Sequence, residues 1–250
     1  MRVAVVGKGG AGKSLVAGTI ARMAAQRGDR VLALDADPMP GLARSLGTVD
    51  AAEPLLADAV EREERGPWRL KSGMGPVTAI RQYAREAPDG VLLLQIGKIT
   101  LEDHPAFLAA VQAYWQLVHR LEEPRSLRDW TFVGDTPAGP RQIAADFSPY
   151  ADTYLLVVEP TWQSVLTARR AAKLARMREA RVLPVANKVR QEGDRRVLED
   201  RLGEPVVATI PFDEEVKEAE RLGVPLIDHA PDSSGTRAIS QIIERIDARE

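Results

Sequence analysis

The sequence predicts an α/β fold in which a single doubly wound, mostly parallel sheet is flanked by helices. Short apolar runs alternate with longer amphipathic runs, and a glycine-rich loop joins the first apolar run to the first helical pattern. Most apolar runs are continuous, as expected of strands that helices cover on both faces. A chain of 250 residues suits one such domain, so we expect residues 1–250 to form a single domain.

The elements follow from these runs in chain order. The strands are predicted at Arg2–Val6, Arg30–Asp35, Gly90–Gln95, Trp130–Gly134, Thr153–Val158, Arg181–Ala186 and Pro205–Ile210. The helices are predicted at Lys13–Arg27, Ala52–Arg65, Val77–Glu86, Pro105–Leu121, Arg141–Phe147, Ser164–Glu179, Asp194–Leu202, Asp213–Leu222 and Gly235–Ala248. The stretch 48–89 mixes charge, glycine and proline, and we expect a surface segment there.

The composition excludes several classes of function. The chain has no cysteine, which excludes disulfides, thiolate metal sites and a cysteine nucleophile. Its net charge of −2 provides no overall basic field for nucleic acid or an anionic membrane. No apolar stretch approaches the roughly 18 residues of a membrane span, and the N-terminus lacks the pattern of a signal peptide. We therefore expect a cytoplasmic protein with no nucleic-acid or membrane partner.

The loop GKGGAGKS, from Gly7 to Ser14, matches the phosphate-binding pattern G-x-x-x-x-G-K-[ST] between a predicted strand and a predicted helix. Lys13 is placed to neutralise the β- and γ-phosphates, and Ser14 offers a hydroxyl to Mg²⁺. The sequence thus predicts ATP and ADP as ligands, with Mg²⁺. The loop residues predicted to bind the nucleotide are Gly9, Gly10, Ala11, Gly12, Lys13 and Ser14.

A second lysine, Lys8, is not required by that pattern, and a solvated surface lysine is one interpretation of it. The form K-G-G-x-G-K-[ST] resembles the deviant Walker A motif of the MinD/ParA/NifH/ArsA class, which are P-loop NTPases of the SIMIBI class. The resemblance implies that Lys8 reaches the nucleotide of a partner subunit and so acts, with Lys13, in catalysis. It also implies a homodimer formed on ATP binding, in which Lys8 gains an ionic partner only when a second site faces it.

Two further segments resemble the same class. In LDADP, the resemblance implies that Asp37 belongs to switch I and orients the attacking water, and that Asp35 lies near the water shell of the magnesium ion. Two acidic residues that cap a strand end are the alternative interpretation. The segment DTPAG resembles the Walker B and switch II region, which implies that Asp135 holds Mg²⁺ through water and that Gly139 lets the loop move.

The base site is predicted at the end of a later strand. Asn187 is the sole asparagine of the chain, and its amide suits N6 and N1 of adenine, although a turn-forming asparagine is an alternative. The class carries an adenine-reading asparagine there. The segment IPFD resembles the part of the class that closes over the base, which implies nucleotide contacts from Pro211 and Phe212.

Within the class, VVEPTWQSVLTARRAAKLA, NKV and IPFDEEVKEAERLGVPL resemble CooC-like ATPases, which mature nickel enzymes such as carbon monoxide dehydrogenase. Their Cys-x-Cys pair is replaced by a stretch containing Asp103 and His104, where a helix N-cap before Pro105 explains the residues better than a metal site. Leu15 stands where the class usually has threonine, and Met39-Pro40-Gly41 replaces polar residues, so we expect slow turnover.

The predicted function is a Mg-dependent, ATP-hydrolysing dimeric switch that assists a client protein, for which a metalloenzyme in maturation is one candidate. Two alternatives remain open. One is a ParA- or MinD-type positioning ATPase on DNA or membrane, and the other is a nucleotide-dependent scaffold with negligible hydrolysis.

Overall fold

The computed structural model describes residues 1–39, 41–49, 55–62, 64, 66–98 and 104–248. The strands are β1 Arg2–Gly7, β2 Val31–Asp35, β3 Val60–Glu61, β4 Arg69–Leu70, β5 Arg85–Glu86, β6 Leu92–Gln95, β7 Thr131–Asp135, β8 Thr153–Val158, β9 Arg181–Val189 and β10 Ala208–Pro211. The α-helices are α1 Lys13–Gln26, α2 Leu42–Leu46, α3 Pro76–Tyr83, α4 His104–Val118, α5 Arg141–Ala144, α6 Trp162–Arg176, α7 Glu192–Leu202, α8 Glu214–Leu222, α9 Leu226–His229 and α10 Ser234–Asp247. Short 3₁₀ turns lie at Leu55–Ala59, Pro88–Gly90 and Arg125–Leu127.

Eight strands form one sheet in the order β10-β9-β8-β1-β7-β2-β6-β5. All neighbours pair in parallel except the edge strand β5, which is antiparallel to β6. The doubly wound, mostly parallel sheet predicted from the sequence is confirmed. The register places Asp35 beside Asp135, because β2 and β7 are neighbours and end together.

Helices cover both faces of this sheet. Alternate residues of β1 point to opposite faces: Val3 and Val5 pack in one buried cluster with α1, α2 and α10, while Ala4 and Val6 pack in the other with α4 and α6. This two-sided burial explains why the strands are continuous apolar runs. It also leaves the carboxyl ends of the strands, where the loops to the helices begin, as the edge at which a site can form.

The helix predicted over Ala52–Arg65 is wrong. The described residues there form the 3₁₀ turn and then β3, which pairs with β4 as an antiparallel hairpin with Val60 opposite Leu70. Leu56, Ala59 and Val60 are buried in the cluster that contains α4. Their helix-like spacing arises because a turn followed by an extended segment brings the same residues to one side, so local periodicity does not separate the two structures.

Candidate functional site

The phosphate loop connects β1 to α1 and depends on two glycines in the left-handed region. Gly10 has φ 78° and Gly12, at the N-cap of α1, has φ 95°. A Cβ on Gly12 would also lie 2.5 Å from the amide nitrogen of Asn187, so the space there is already filled. Lys13 is only 7% exposed and follows directly at the start of the helix. The loop therefore brings backbone N–H groups and a buried ammonium to one place, as phosphate binding requires.

Asp135 and Ser14 form the part of the site that fits a magnesium ion. Asp135 is 2% exposed, and among the described residues its Oδ1 has no hydrogen-bond partner. Burial raises the pKa of Asp135 to about 6, against the attraction of the Lys13 ammonium and a hydrogen bond from the Ser14 side chain, which both lower it. A buried carboxylate oxygen without a partner, next to a serine hydroxyl, is a donor set of hard oxygens that suits Mg²⁺.

Asp35 is fully buried beside Asp135 and holds the loop that follows β2. One of its carboxylate oxygens accepts from the backbone N–H of Asp37 at 3.0 Å, and the other accepts from that of Leu42 at 3.3 Å. Burial and the neighbouring Asp135 carboxylate raise the pKa of Asp35 well above its ordinary value. Asp35 thus has a structural task besides the magnesium role predicted for it.

The loop between β2 and α2 carries Asp37 and lies against the phosphate loop. Asp37 is partly exposed, and its carboxylate accepts from the backbone N–H of Met39 at 2.9 Å. Gly41 lies so close to Ser14 that a Cβ on it would be 3.0 Å from the serine Oγ. The glycine at position 41 therefore allows this loop to approach the hydroxyl predicted to bind Mg²⁺.

A cavity of about 580 Å³ extends from the phosphate loop to α2, α8 and the end of β10. Three residues predicted to contact the base line this cavity: Asn187, Pro211 and Phe212.

Gly139, which was predicted to let the switch II loop move, has φ 92°, and its backbone N–H donates to the Gly7 carbonyl at 3.0 Å.

Asn187 is 5% exposed, and both polar atoms of its side-chain amide already make a hydrogen bond within the protein. Its Nδ2 donates to the Ala11 carbonyl at 2.6 Å, and its Oδ1 accepts from the Lys188 N–H at 2.8 Å. A base-reading role would therefore use the second amide hydrogen and the second lone pair. The Phe212 ring also has partners, because the Arg190 guanidinium lies 3.5 Å and the Lys217 ammonium 4.5 Å from its centroid.

The expectation that Lys8 gains an ionic partner only in a second subunit is wrong. Its ammonium lies 3.7 Å from Oε2 of Glu159 in the same chain. Glu159 also binds Lys188, with 2.6 Å between Nζ and Oε1. Sequence reasoning missed both residues as parts of the site. The signal available was their position, since Glu159 directly follows β8 and Lys188 directly follows the singled-out Asn187.

Two further features were singled out in the sequence: the helix N-cap at Asp103 and His104, and the lack of a long apolar segment. Asp103 lies outside the described residues, as does the side chain of His104, so the N-cap explanation for this pair stays a prediction. Within the described parts of the chain, no helix has both the length and the apolar character needed to cross a membrane.

Comparison with known proteins places this site in a family. Residues 3–226 match the family described as the CobQ/CobB/MinD/ParA nucleotide binding domain. The chain is 33% identical to an uncharacterized ATP-binding protein of Methanocaldococcus jannaschii, with 98% of this chain and 97% of that protein aligned. It is 28% identical to the carbon monoxide dehydrogenase accessory protein CooC of Rhodospirillum rubrum, over 92% of this chain and 91% of that protein.

The fold is also that of solved relatives. The septum site-determining protein MinD from Pyrococcus horikoshii, determined with Mg-ADP, superposes with a TM-score of 0.74 at 20% identity, over 98% of this chain and 95% of that one. The P-loop fold and the resemblance to MinD/ParA proteins and to CooC, predicted from the motifs, are confirmed.

Proposed function

Since the chain belongs to the CobQ/CobB/MinD/ParA family of nucleotide-binding domains, we propose that it is a Mg-dependent ATPase that switches between a monomer and an ATP-bound homodimer. The whole chain acts as one domain in this proposal. The observation that carries the nucleotide and magnesium part of this proposal is the group formed by the buried Lys13 and Asp135 with the half-buried Ser14, where one carboxylate oxygen of Asp135 has no partner among the described residues. A buried carboxylate oxygen without a partner lowers the stability of the fold unless it binds a ligand.

Each residue has a separate task in the proposed reaction. The N–H groups of the loop from Gly9 to Ser14 and the Lys13 ammonium bind the phosphates. Ser14 and Asp135 would hold the magnesium ion, which when bound supplies positive charge beside the β- and γ-phosphates. Asp37, partly exposed on the loop after β2, orients the attacking water, and Asp35 fixes that loop by accepting from Asp37 and Leu42.

Dimer formation is driven by the transfer of Lys8 from Glu159 to the nucleotide of the partner. An ion pair at 3.7 Å whose lysine is 36% exposed is worth at most about 1 kcal/mol. A charge-assisted bond to phosphate is worth about 1.5–3 kcal/mol, and a two-fold dimer contains two of them. The contact across the interface therefore outweighs the ion pair that it replaces, and the triphosphate shifts the equilibrium by that difference.

We further propose that the dimer assists a client protein, and that the client is a metalloenzyme. The similarity to CooC, a carbon monoxide dehydrogenase accessory protein, supports this. The chain has no cysteine, so it has no thiolates with which to bridge a metal ion between subunits. The dimer would then act on its client through an ATP-driven conformational change and not by delivering a thiolate-bound metal ion.

Light scattering of the native protein tests the switch directly. We expect a monomer with Mg-ADP and a dimer with a slowly hydrolysed ATP analogue. Lys8→Ala should bind both nucleotides and stay monomeric, whereas Lys173→Ala, which removes an exposed lysine of α6, should dimerise normally. A native protein that binds the analogue and remains a monomer would contradict the dimer, and one that binds neither nucleotide would contradict the whole proposal.

A further inference from the structure

Strand β9 contains an irregularity where it reaches the phosphate loop. Its register with β10 runs Ala208 to Val185 and Thr209 to Ala186, and then jumps to Pro211 opposite Val189. Asn187 and Lys188 therefore stand opposite a single residue, as in a β-bulge, and Lys188 has φ 59°. A left-handed conformation is costly for a lysine and is kept only where the surroundings enforce it.

The bulge lets two consecutive side chains serve the same loop. In a regular strand they would point to opposite faces of the sheet. Here Asn187 Nδ2 donates to the Ala11 carbonyl and Lys188 Nζ donates to the Gly10 carbonyl, each at 2.6 Å. A peptide unit is planar and trans, so holding these two carbonyls also fixes the direction of the N–H groups of Ala11 and Gly12.

Glu159 holds the Lys188 ammonium through an ion pair. Its Oε1 lies 2.6 Å from Lys188 Nζ, and its side chain is only 13% exposed. Its own backbone is held as well, because its N–H donates to Ser164 Oγ at 3.0 Å in the first turn of α6. The Lys188 side chain is 46% exposed, so its ion pair alone would add little, but the ion pair directs the ammonium onto the Gly10 carbonyl.

We propose that Lys188 and Glu159 are positioning residues of the nucleotide site: Glu159 holds the Lys188 ammonium on the Gly10 carbonyl, and this clamp keeps the phosphate loop in its binding conformation. The inference rests on the proposed nucleotide site, and it does not require the dimer. The loop is ordered before the phosphates arrive, so the ordering cost is not subtracted from the binding free energy.

Three substitutions at Lys188 separate this role from a merely structural one. Lys188→Met removes the ammonium, and Lys188→Arg keeps a charged donor. Lys188→Gly also removes the ammonium while relieving the left-handed backbone, so it does not depend on a strained fold. Lys173→Met is the matched control, since it removes an exposed lysine on α6 that lies outside the loop.

The experiment is calorimetric titration of each variant with Mg-ADP, together with its unfolding temperature without nucleotide. We expect Lys188→Met and Lys188→Gly to bind about tenfold more weakly, the effect of one hydrogen bond to a charged group. Lys188→Arg should recover most of the affinity, and Lys173→Met should match the native protein. Lys188→Gly should unfold at or above the native temperature.

Glu159→Gln completes the test, because it removes the carboxylate and leaves Lys188 in place. We expect a severalfold loss of affinity for Mg-ADP, and the double variant Glu159→Gln with Lys188→Gly should bind no more weakly than Lys188→Gly alone. Native affinity in Lys188→Gly, or losses that add fully in the double variant, would overturn the clamp. Failure of the native protein to bind Mg-ADP would instead overturn the proposed function.

Discussion

The backbone N–H of Asp37 donates to the buried carboxylate of Asp35 at 3.0 Å, so the more exposed aspartate depends on the buried one for its position. The second oxygen of Asp35 accepts from Leu42 at the start of α2. One carboxylate therefore fixes both ends of the loop that carries the proposed water-positioning group. This arrangement leaves the Asp37 side chain replaceable without loss of the bond that its backbone makes.

Asp37→Asn should retain binding of Mg-ATP and lower the rate of hydrolysis about a hundredfold or more, the scale of a lost general base or water-positioning group. The backbone bond to Asp35 is kept, so the loop stays in place. Phosphate release under single-turnover conditions measures the rate, and titration with the slowly hydrolysed analogue measures binding. Asp200→Asn, on the exposed face of α7, should leave both unchanged. An unaltered rate in Asp37→Asn would assign the water to another residue.

Asp135→Asn should make the nucleotide-free, magnesium-free protein more stable at pH 8. The pKa of Asp135 is about 6 in the folded state, whereas the ordinary pKa of an aspartate is 3.8, so the folded protein binds more protons between these values. Stability is therefore lost as pH rises through this window, and the full penalty remains above it. The shift corresponds to a gain on the order of 1–3 kcal/mol for the neutral side chain.

Thermal unfolding of native protein and Asp135→Asn at pH 4.5 and pH 8, in a chelator, measures that effect. The difference between the two proteins should be clearly larger at pH 8, because at pH 4.5 the native carboxyl is mostly protonated. Comparison at each pH removes the contribution of other titrating groups. An equal difference at both values would mean that the ionised carboxylate is not disfavoured by burial.

Asn187→Asp should weaken the binding of Mg-ADP at least tenfold and narrow the preference for ADP over GDP. A carboxylate in place of the amide faces the Ala11 carbonyl without a donor, and it also lacks the hydrogen proposed to meet adenine. Titration of both proteins with Mg-ADP and Mg-GDP gives the four affinities. Losses of equal size for the two nucleotides would leave Asn187 as a support of the phosphate loop only.

Gly134→Ala should destabilise the fold by about 1–3 kcal/mol, the usual cost of overpacking a core. A Cβ at Gly134 would collide with the hydroxyl of Tyr150, which is buried and packs edge-on against Phe132. Gly193→Ala is the matched control: the space around it is open, it lies inside α7, and it should stabilise slightly. Denaturant unfolding compares the two, and a native midpoint for Gly134→Ala would mean that Tyr150 moves aside freely.

The sequence predicted the central sheet well because its strands are buried on both faces and therefore appear as continuous apolar runs. β8 has the predicted bounds, and β1 extends one residue beyond them. β5 and the β3–β4 hairpin were missed, since two-residue strands exist through pairing with a distant partner rather than through a local pattern. The five-residue helix α2 is similarly too short to show a period.

The phosphate loop could be located from the sequence because glycine, lysine and serine at a fixed spacing, between a strand and a helix, define its pattern. The partners of Lys188 were not predicted from the sequence, because they depend on the register shift in β9. No property of the residues NKV indicates that a bulge forms there. The ion pair of Lys8 with Glu159 joins residues 151 positions apart (159 − 8), and only the neighbouring positions of β1 and β8 bring them together. Long-range geometry of this kind is set by the assembled sheet.

The buried aspartates at the ends of β2 and β7 also bear on how long the chain survives in a cell. Their raised pKa values mean that burial disfavours the ionised carboxylates in the empty protein, a penalty that the proposed magnesium nucleotide would relieve. A ligand present at a hundred times its dissociation constant adds about 2.7 kcal/mol of stability, which reduces the unfolded fraction by about two orders of magnitude. Proteases act on that fraction, so if the proposed site binds nucleotide, we expect molecules without nucleotide to be degraded first.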